Sequence, residues 1–397
     1  MKRTNILEEI SRTLDISPTM YKNASEKYQA MSRYLLSEGI ECEIYPHGSF
    51  ALGTITRPFE NGNDCDYDID MVCELTADKE KTSARQTKWV VGSALQRSEL
   101  YSSKNLKEWD RCWTLSYAKQ SGDIGFSMDI LPSVHESRDK IDQELKYGTS
   151  STYAEKSIAI TNKHPITKNY SWSQSNPRGY KMWFDSINEP FLVLQRELNR
   201  QQLFERNRDI YNSVEDVPPM LERSSLQRVI QLLKRHRDMF YSVAKRDNKP
   251  ISAIITTLCA QIAQTASPQI TVHDLLQYVV KTLGQYSGLS SENHMLFETN
   301  NPTLTHIRND GSKWTVRNPV NHNDNYTENW TNEDVTFFFR WLEAVRADLI
   351  DSINESEETY FASLDRGIGK NIRLSTIPNS VNINFNPQVG QTKPWRE

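Results

Sequence analysis

Residues 64–75 read Asp-Cys-Asp-Tyr-Asp-Ile-Asp-Met-Val-Cys-Glu-Leu, with a carboxylate at every even position from 64 to 70. Tyr67, Ile69 and Met71 occupy the odd positions that follow. A repeat of two is the period of a β-strand, whose successive side chains point to opposite faces. Residues 66–75 are therefore predicted as a strand with an apolar face in a core and an aspartate face turned away from it. That requirement limits the folds open to the chain. The sheet must be covered on one side, while its other side must meet water or something that compensates carboxylates.

An Asp-x-Asp on a strand is most often a solvated edge, the usual fate of carboxylates. A second feature changes that reading. Asp129 lies in Gly-Phe-Ser-Met-Asp-Ile-Leu-Pro-Ser-Val (125–134), a predicted strand ended by Pro132. Met128, Ile130 and Leu131 surround it, and an aspartate in such company is costly without a partner. Metal ligation supplies one. Two aspartates at i and i+2 on one strand and a third from a neighbour suit a pair of divalent ions, magnesium first with manganese as a substitute, in phosphoryl transfer. Periodicity cannot choose two among Asp64, Asp66, Asp68 and Asp70. The apolar run Met71-Val72-Cys73 favours Asp68 and Asp70, with Asp66 in reserve. Asp68, Asp70 and Asp129 are the candidate catalytic and metal-binding residues.

Upstream, His47-Gly48-Ser49-Phe50 is followed by Gly53-Thr54. A glycine lets the backbone bend close to a phosphate, and amides opening a helix attract anions. Gly48 and Ser49 are therefore candidate nucleotide-binding residues, while His47 reads as structural. A Gly-Ser pair alone means little, since turns contain it constantly.

Other segments place these motifs. Ser17 and Pro18 open a long amphipathic helix over 17–38 that Gly39 stops. Residues 41–48 alternate briefly as a strand, 81–98 suit a helix, and 112–118 form another strand. After about residue 200 the pattern turns helical: 224–247 with a Ser cap, a helix opening near Ser252, and 331–353 capped by Thr331. The expected organisation is a core over 1–214 and a helical lobe over 215–397, divided in Glu-Asp-Val-Pro-Pro-Met (215–220). Residues 298–330 read as a polar connection. The tail has little period, though Ile372, Leu374 and Ile377 suggest that it packs.

The balance of 47 Lys+Arg against 51 Asp+Glu leaves −4, unlike a protein that coats nucleic acid. No stable nucleic-acid complex is expected. No apolar run approaches the ~20 residues of a membrane span, so a cytoplasmic protein without membrane contact is expected. Five scattered cysteines show no zinc spacing and read as reduced thiols.

Gly48-Ser49, Gly53-Thr54, Arg57-Pro58, Asp68/Asp70 and Asp129 with Pro132 together resemble the Gly-Ser…Asp-x-Asp signature of DNA polymerase β-like nucleotidyltransferases. More narrowly they resemble the cGAS/DncV-like nucleotidyltransferases (CD-NTases) of bacterial anti-phage CBASS systems, with clade B the nearest group. The likeness continues in SNPRGYKMWF (175–184), LQRVIQLLKRHRD (226–238) and NPVNHNDNYTENW (318–330). It implies an α/β (α+β) bilobal polymerase β-like core with a mixed sheet and a helical C-terminal lobe. It also implies two nucleoside triphosphates in the cleft, a cyclic di- or trinucleotide second messenger as product, and an effector protein reached through that product.

By the same resemblance Lys234 and Ser252 contact the donor triphosphate, Arg237 is a weaker candidate, and Asn325 and Tyr326 touch a base or ribose. The competing reading of Leu-Lys-Arg-His-Arg-Asp is a basic face in water. Trp172, Tyr180, Trp183 and Phe184 can stack on bases, but the helical spacing of the last three favours core filling. The rival functions are a linear nucleotidyltransferase acting on RNA or protein and an inactive nucleotide sensor.

Overall fold

The aspartate strand is the second of seven in one mixed sheet. The computed structural model describes residues 3–60, 63–117, 125–206, 222–290, 305–310 and 313–376. The strands are β1 (Cys42–His47), β2 (Tyr67–Leu75), β3 (Lys107–Glu108), β4 (Trp113–Tyr117), β5 (Phe126–His135), β6 (Ile158–Lys163) and β7 (Tyr170–Ser175). They run β1-β2-β5-β4-β3, with β6 joined to β5 and β7 to β6. Only β2 and β5 are parallel.

β5 is the spine. One edge pairs with β2 throughout, while the other pairs with β4 as far as Ile130 and with β6 from Ser133. Pro132 was expected to end this strand, yet β5 continues to His135. The proline falls between the two partners on that edge, where a missing N–H is tolerated.

Four helices precede or follow these strands in the first hundred residues: α1 (Arg3–Thr13), α2 (Pro18–Ser37), α3 (Gly48–Ala51) and α4 (Ala84–Arg97). The Ser17 hydroxyl accepts from the Met20 amide, Pro18 opens α2, and Gly39 beyond its end has φ +77°. α2 and α4 cover the odd face of β2. Met20, Met31, Leu35, Val91 and Leu95 pack with Tyr67, Ile69, Met71, Met128 and Ile130, and Ile69, Met71 and Met128 are wholly buried. Each such side chain contributes about 1.5–3 kcal/mol. That burial fixes the register, because a slip of one residue would drive the aspartates into the core.

The helical body comprises α5 (Pro177–Arg206), α6 (Ser225–Ala244), α7 (Ser252–Ala263), α8 (Val272–Gln285), α9 (Asn332–Val345), α10 (Glu357–Ile368) and α11 (Lys370–Thr376). Its apolar core also takes Ile6, Leu7 and Ile10 of α1 and Trp183, Phe184, Ile187 and Phe191 of α5. The core therefore does not divide at residue 215. The chain starts in the helical body, crosses to the sheet and returns at α5. The expected boundary, 215–220, lies outside the described residues.

α6 is the hub, touching α1, α5, α7, α8, α9 and α10. Ser224 and Gln227 form its capping box. Its charged run does not face water: Lys234, Arg235, His236, Arg237 and Asp238 are all buried. The helix expected over 331–353 is regular to Val345 and then changes pitch through a π turn and a 3-10 turn. Between the last helices and the hub, the polar connection forms short ladders, among them Arg317–Asn318 against Asn321–Asn325. Ile372 is buried, Leu374 is exposed, and Ile377 is outside the described residues. Cys42, Cys73, Cys112 and Cys259 are thiols outside any disulfide.

Candidate active site

The parallel register of β2 and β5 sets Asp68 opposite Ser127 and Asp70 opposite Asp129. Strands lie about 4.8 Å apart, so the two acids in register are neighbours on the even face. Ser127 donates to Asp68 and Thr114 of β4 donates to Asp129. The alternatives that periodicity left open are separated here. Arg235 binds Asp64 at 2.6 Å, and Asp66 accepts the Gly125 amide at 2.9 Å. Both are committed to holding the strand mouth, which leaves Asp68 and Asp70 beside Asp129.

Burial, then the Asp68 charge, pushes the Asp70 carboxyl up to about 7, against the pull of Lys234. Burial also raises Asp129; Asp70 and Asp68 add to that, and the Thr114 bond opposes it. Asp68 thus makes Asp70 harder to ionise, and Asp70 and Asp68 do the same to Asp129. Among the described residues no three His, Cys, Asp or Glu side chains are closed into a ligand cage.

The β1–α3 turn leans on this pair. Gly48 has φ +62°, and a Cβ there would stand 2.2 Å from Asp70 Oδ2. Glycine is needed for both the backbone angle and the close approach. His47 pairs with Asp70 across β1 and β2, and its buried Nε2 has no partner. Burial lowers the His47 pKa to about 4, so the ring is neutral at pH 7.

Across the turn, Lys234 Nζ donates to the Thr54 carbonyl at 2.9 Å. Burial lowers its pKa to about 8; Arg237 adds to this, while Asp238, Asp70 and Asp68 oppose it. Gly48, Ser49, Lys234 and Ser252 all line one cavity of about 260 Å³, together with Tyr180, Asn318, Asp324 and Tyr326. The four main nucleotide-binding candidates from the sequence therefore share one cavity wall.

A match to the nucleotidyltransferase-domain model described as cyclic GMP-AMP synthase DncV-like spans residues 42–129, from the start of β1 to Asp129. Over residues 42–129 the chain is similar to the cGAS/DncV-like nucleotidyltransferases. It is 25% identical over 335 residues to a c-di-GMP synthase of Roseivirga ehrenbergii, covering 82% of this chain and 73% of that protein. It is 26% identical over 247 residues to the cyclic dinucleotide synthase CdnG of Bradyrhizobium diazoefficiens, covering 60% of this chain and 53% of that one. The structure of B. diazoefficiens CdnG in complex with GTP shares the fold, with a TM-score of 0.64 at 20% identity over 94% of this chain and 98% of that one.

Within this nucleotidyltransferase the weaker candidates divide. Arg237 is consumed by Asp238, the Pro250 carbonyl at 2.9 Å and the Ser252 hydroxyl at 3.2 Å. The Asn325 side chain binds the Val316 amide and the Trp314 carbonyl, so it shapes its own hairpin, whereas Tyr326 reaches the cavity. Trp183 and Phe184 fill the helical core, Tyr180 faces the cavity, and Trp172 sits half-buried on β7. Asp324 was not visible as a site residue in the sequence, because a carboxylate within Asn-His-Asn-Asp-Asn reads as loop.

Proposed function

We propose that this nucleotidyltransferase condenses nucleoside triphosphates into a cyclic di- or trinucleotide. In each step an acceptor hydroxyl oxygen bonds to the donor α-phosphorus, the bond to the β-phosphate breaks, and pyrophosphate leaves. Asp129, with its raised pKa, is suited to take the hydroxyl proton. Gly48, Ser49, Lys234 and Ser252 grip the donor triphosphate, Lys234 as a point charge. GTP is the first substrate to test, since a relative is named a c-di-GMP synthase.

The observation that carries this reading is the register that sets Asp70 against Asp129 beneath the Gly48 turn. Those two carboxyls, raised by burial and by neighbouring carboxylates, fit a site for divalent cations. Asp68, Asp70 and Asp129 would hold two magnesium ions, or manganese, once Asp68 leaves Ser127 and Asp129 leaves Thr114. When bound, the ions supply charge neutralisation at the transferring phosphate.

Among the described residues no helix is long and apolar enough to cross a membrane, which is compatible with synthesis in the cytoplasm. An effector that senses the product in anti-phage defence completes the proposal. The test is incubation of the protein with all four triphosphates and magnesium, then phosphatase treatment and mass analysis. A phosphatase-resistant cyclic product is expected, and chelation removes it. Tailed RNA or nucleotide-modified protein as the sole product would replace this reading with a linear transferase, and binding without turnover would leave a sensor.

A further inference from the structure

The cavity is lined by chemically different groups: Gly48, Ser49, Lys234 and Ser252, suited to an anion, and Asp324, Tyr326 and Tyr180. A phosphate avoids a carboxylate, so Asp324 suits another part of the nucleotide. Most polar groups there are already engaged. Asn176 binds the Tyr153 carbonyl at 2.8 Å and the Gly179 amide at 2.9 Å. Tyr180 pairs with Thr257 at 2.8 Å. Asn318 gives its amide to Asp324 Oδ2 at 3.0 Å and its oxygen to the Val320 amide.

Asp324 is the exception: among the described residues Asn318 is its one hydrogen-bond donor, leaving Oδ1 open. We infer that Asp324 is the base-reading residue of this site and selects guanine, an inference that rests on the reading of the protein as a nucleotidyltransferase. An ionised carboxylate is an acceptor with about four lone-pair sites. Guanine presents N1–H and N2–H side by side, which two carboxylate oxygens accept together. Adenine presents one N6–H beside the N1 lone pair, which a carboxylate repels. Arg111 is the cationic group facing Asp324; with the Asn318 bond it opposes the upward push of burial on the carboxyl.

The hydroxyls of a ribose would also satisfy a carboxylate, but the surroundings favour a base. Tyr326 lies within electrostatic reach of both Asp324 and Tyr180, so the carboxylate stands at the edge of an aromatic wall. The loop is also held firmly. Buried Glu144 accepts from the His322 amide at 2.9 Å, the Asn323 side chain at 3.1 Å and Thr149 at 3.1 Å. Glu144 is a positioning residue, holding the loop at the two residues before Asp324.

The experiment measures equilibrium binding of GTP, inosine triphosphate and ATP to the wild type and to Asp324→Asn, alongside turnover of each. Inosine triphosphate keeps N1–H and lacks the 2-amino group. The wild type is expected to bind GTP roughly tenfold or more tighter than inosine triphosphate, in line with a charge-assisted hydrogen bond. Asp324→Asn is expected to lose most of that difference and to gain on ATP relative to GTP, because an amide can pair with adenine.

Equal wild-type affinity for GTP and inosine triphosphate overturns the inference, and this arm needs no variant to fold. A uniform loss across all three nucleotides in Asp324→Asn overturns it in favour of a ribose contact. Discrimination in binding without any product would sink the synthase reading and leave Asp324 as a guanine reader. Product formation without discrimination would do the reverse.

Discussion

Charge is buried in two regions of this molecule, and they are built in opposite ways. On α6 most charged side chains are matched, Lys234 being set apart. Arg228 binds Asp15 at 2.7 Å, Arg235 binds Asp64, His236 lies 3.3 Å from Asp348, and Asp238 is held by Arg237 and Lys249. On the even face of the sheet, Asp70 and Asp129 stand beside each other with Lys234 as the nearby counter-charge. Two of these pairs, Arg228–Asp15 and Arg235–Asp64, tie α6 to the chain before β2. Mismatched ions do nothing for the fold and are poised for a ligand of opposite charge.

The sharpest way to break this comparison is to neutralise one member of each region. Asp70→Asn should abolish product, by at least about a thousandfold in rate as expected for loss of a metal-holding carboxylate, and leave the melting temperature equal or higher. Product mass and calorimetry on one preparation check both halves. Robust synthesis by the variant would remove Asp70 from the chemistry. Arg235→Met should do the opposite, stranding Asp64 and the Arg57 and Ile368 carbonyls that the guanidinium now holds. Removing one partner of a buried pair costs about 3–5 kcal/mol, which denaturant titration would register. A loss below about 1 kcal/mol would mean that this pair is not the brace described.

Lys88 sharpens the contrast as a buried ammonium held by neutral oxygens, the Trp109 carbonyl at 2.8 Å and the Asp110 carbonyl at 3.1 Å. Burial lowers its pKa to about 8, with Cys112 and Glu108 opposing. The unfolded chain therefore binds this proton more tightly than the folded one. The resulting penalty is full below pH 8 and fades as pH rises towards the ordinary lysine value near 10.4. Wild type should thus gain on Lys88→Met by about 2–3 kcal/mol between pH 8 and pH 10.5, read from paired unfolding curves. A constant gap across that range would refute it.

The sheet was legible because its signals are local. A period of two, serine caps at Ser17 and Ser224, and apolar runs around Asp129 all act within a few residues. The fate of Leu-Lys-Arg-His-Arg-Asp was not, because what decides between water and burial is the presence of Thr54, Arg57, Asp64 and Asp348, far away in the chain. α1 escaped notice for a related reason. Ile6, Leu7, Ile10 and Leu14 have helical spacing, but their burial depends on the helical body, mostly residues beyond 177. All four nucleotide-binding candidates could be named by resemblance or turn chemistry without tertiary knowledge. Asn325 against Tyr326 could not, since one closes a short strand and the other opens the turn after it.

The finest test holds backbone strain constant and changes only the neighbour. Gly48 and Gly53 flank the same turn with φ +62° and +66°. An alanine at either pays about 1–2 kcal/mol for the left-handed conformation. At Gly53 its Cβ would stand 2.4 Å from Gln227 Nε2, on the side-chain brace that reaches the Leu52 carbonyl. At Gly48 it would stand 2.2 Å from Asp70 Oδ2 and displace the carboxylate itself. Both variants should therefore lose similar stability, but Gly48→Ala should lose far more of the rate than Gly53→Ala. Equal activity in the two would show that contact between the turn and Asp70 is incidental, and that the mismatched charges of the sheet do not depend on the glycine beside them.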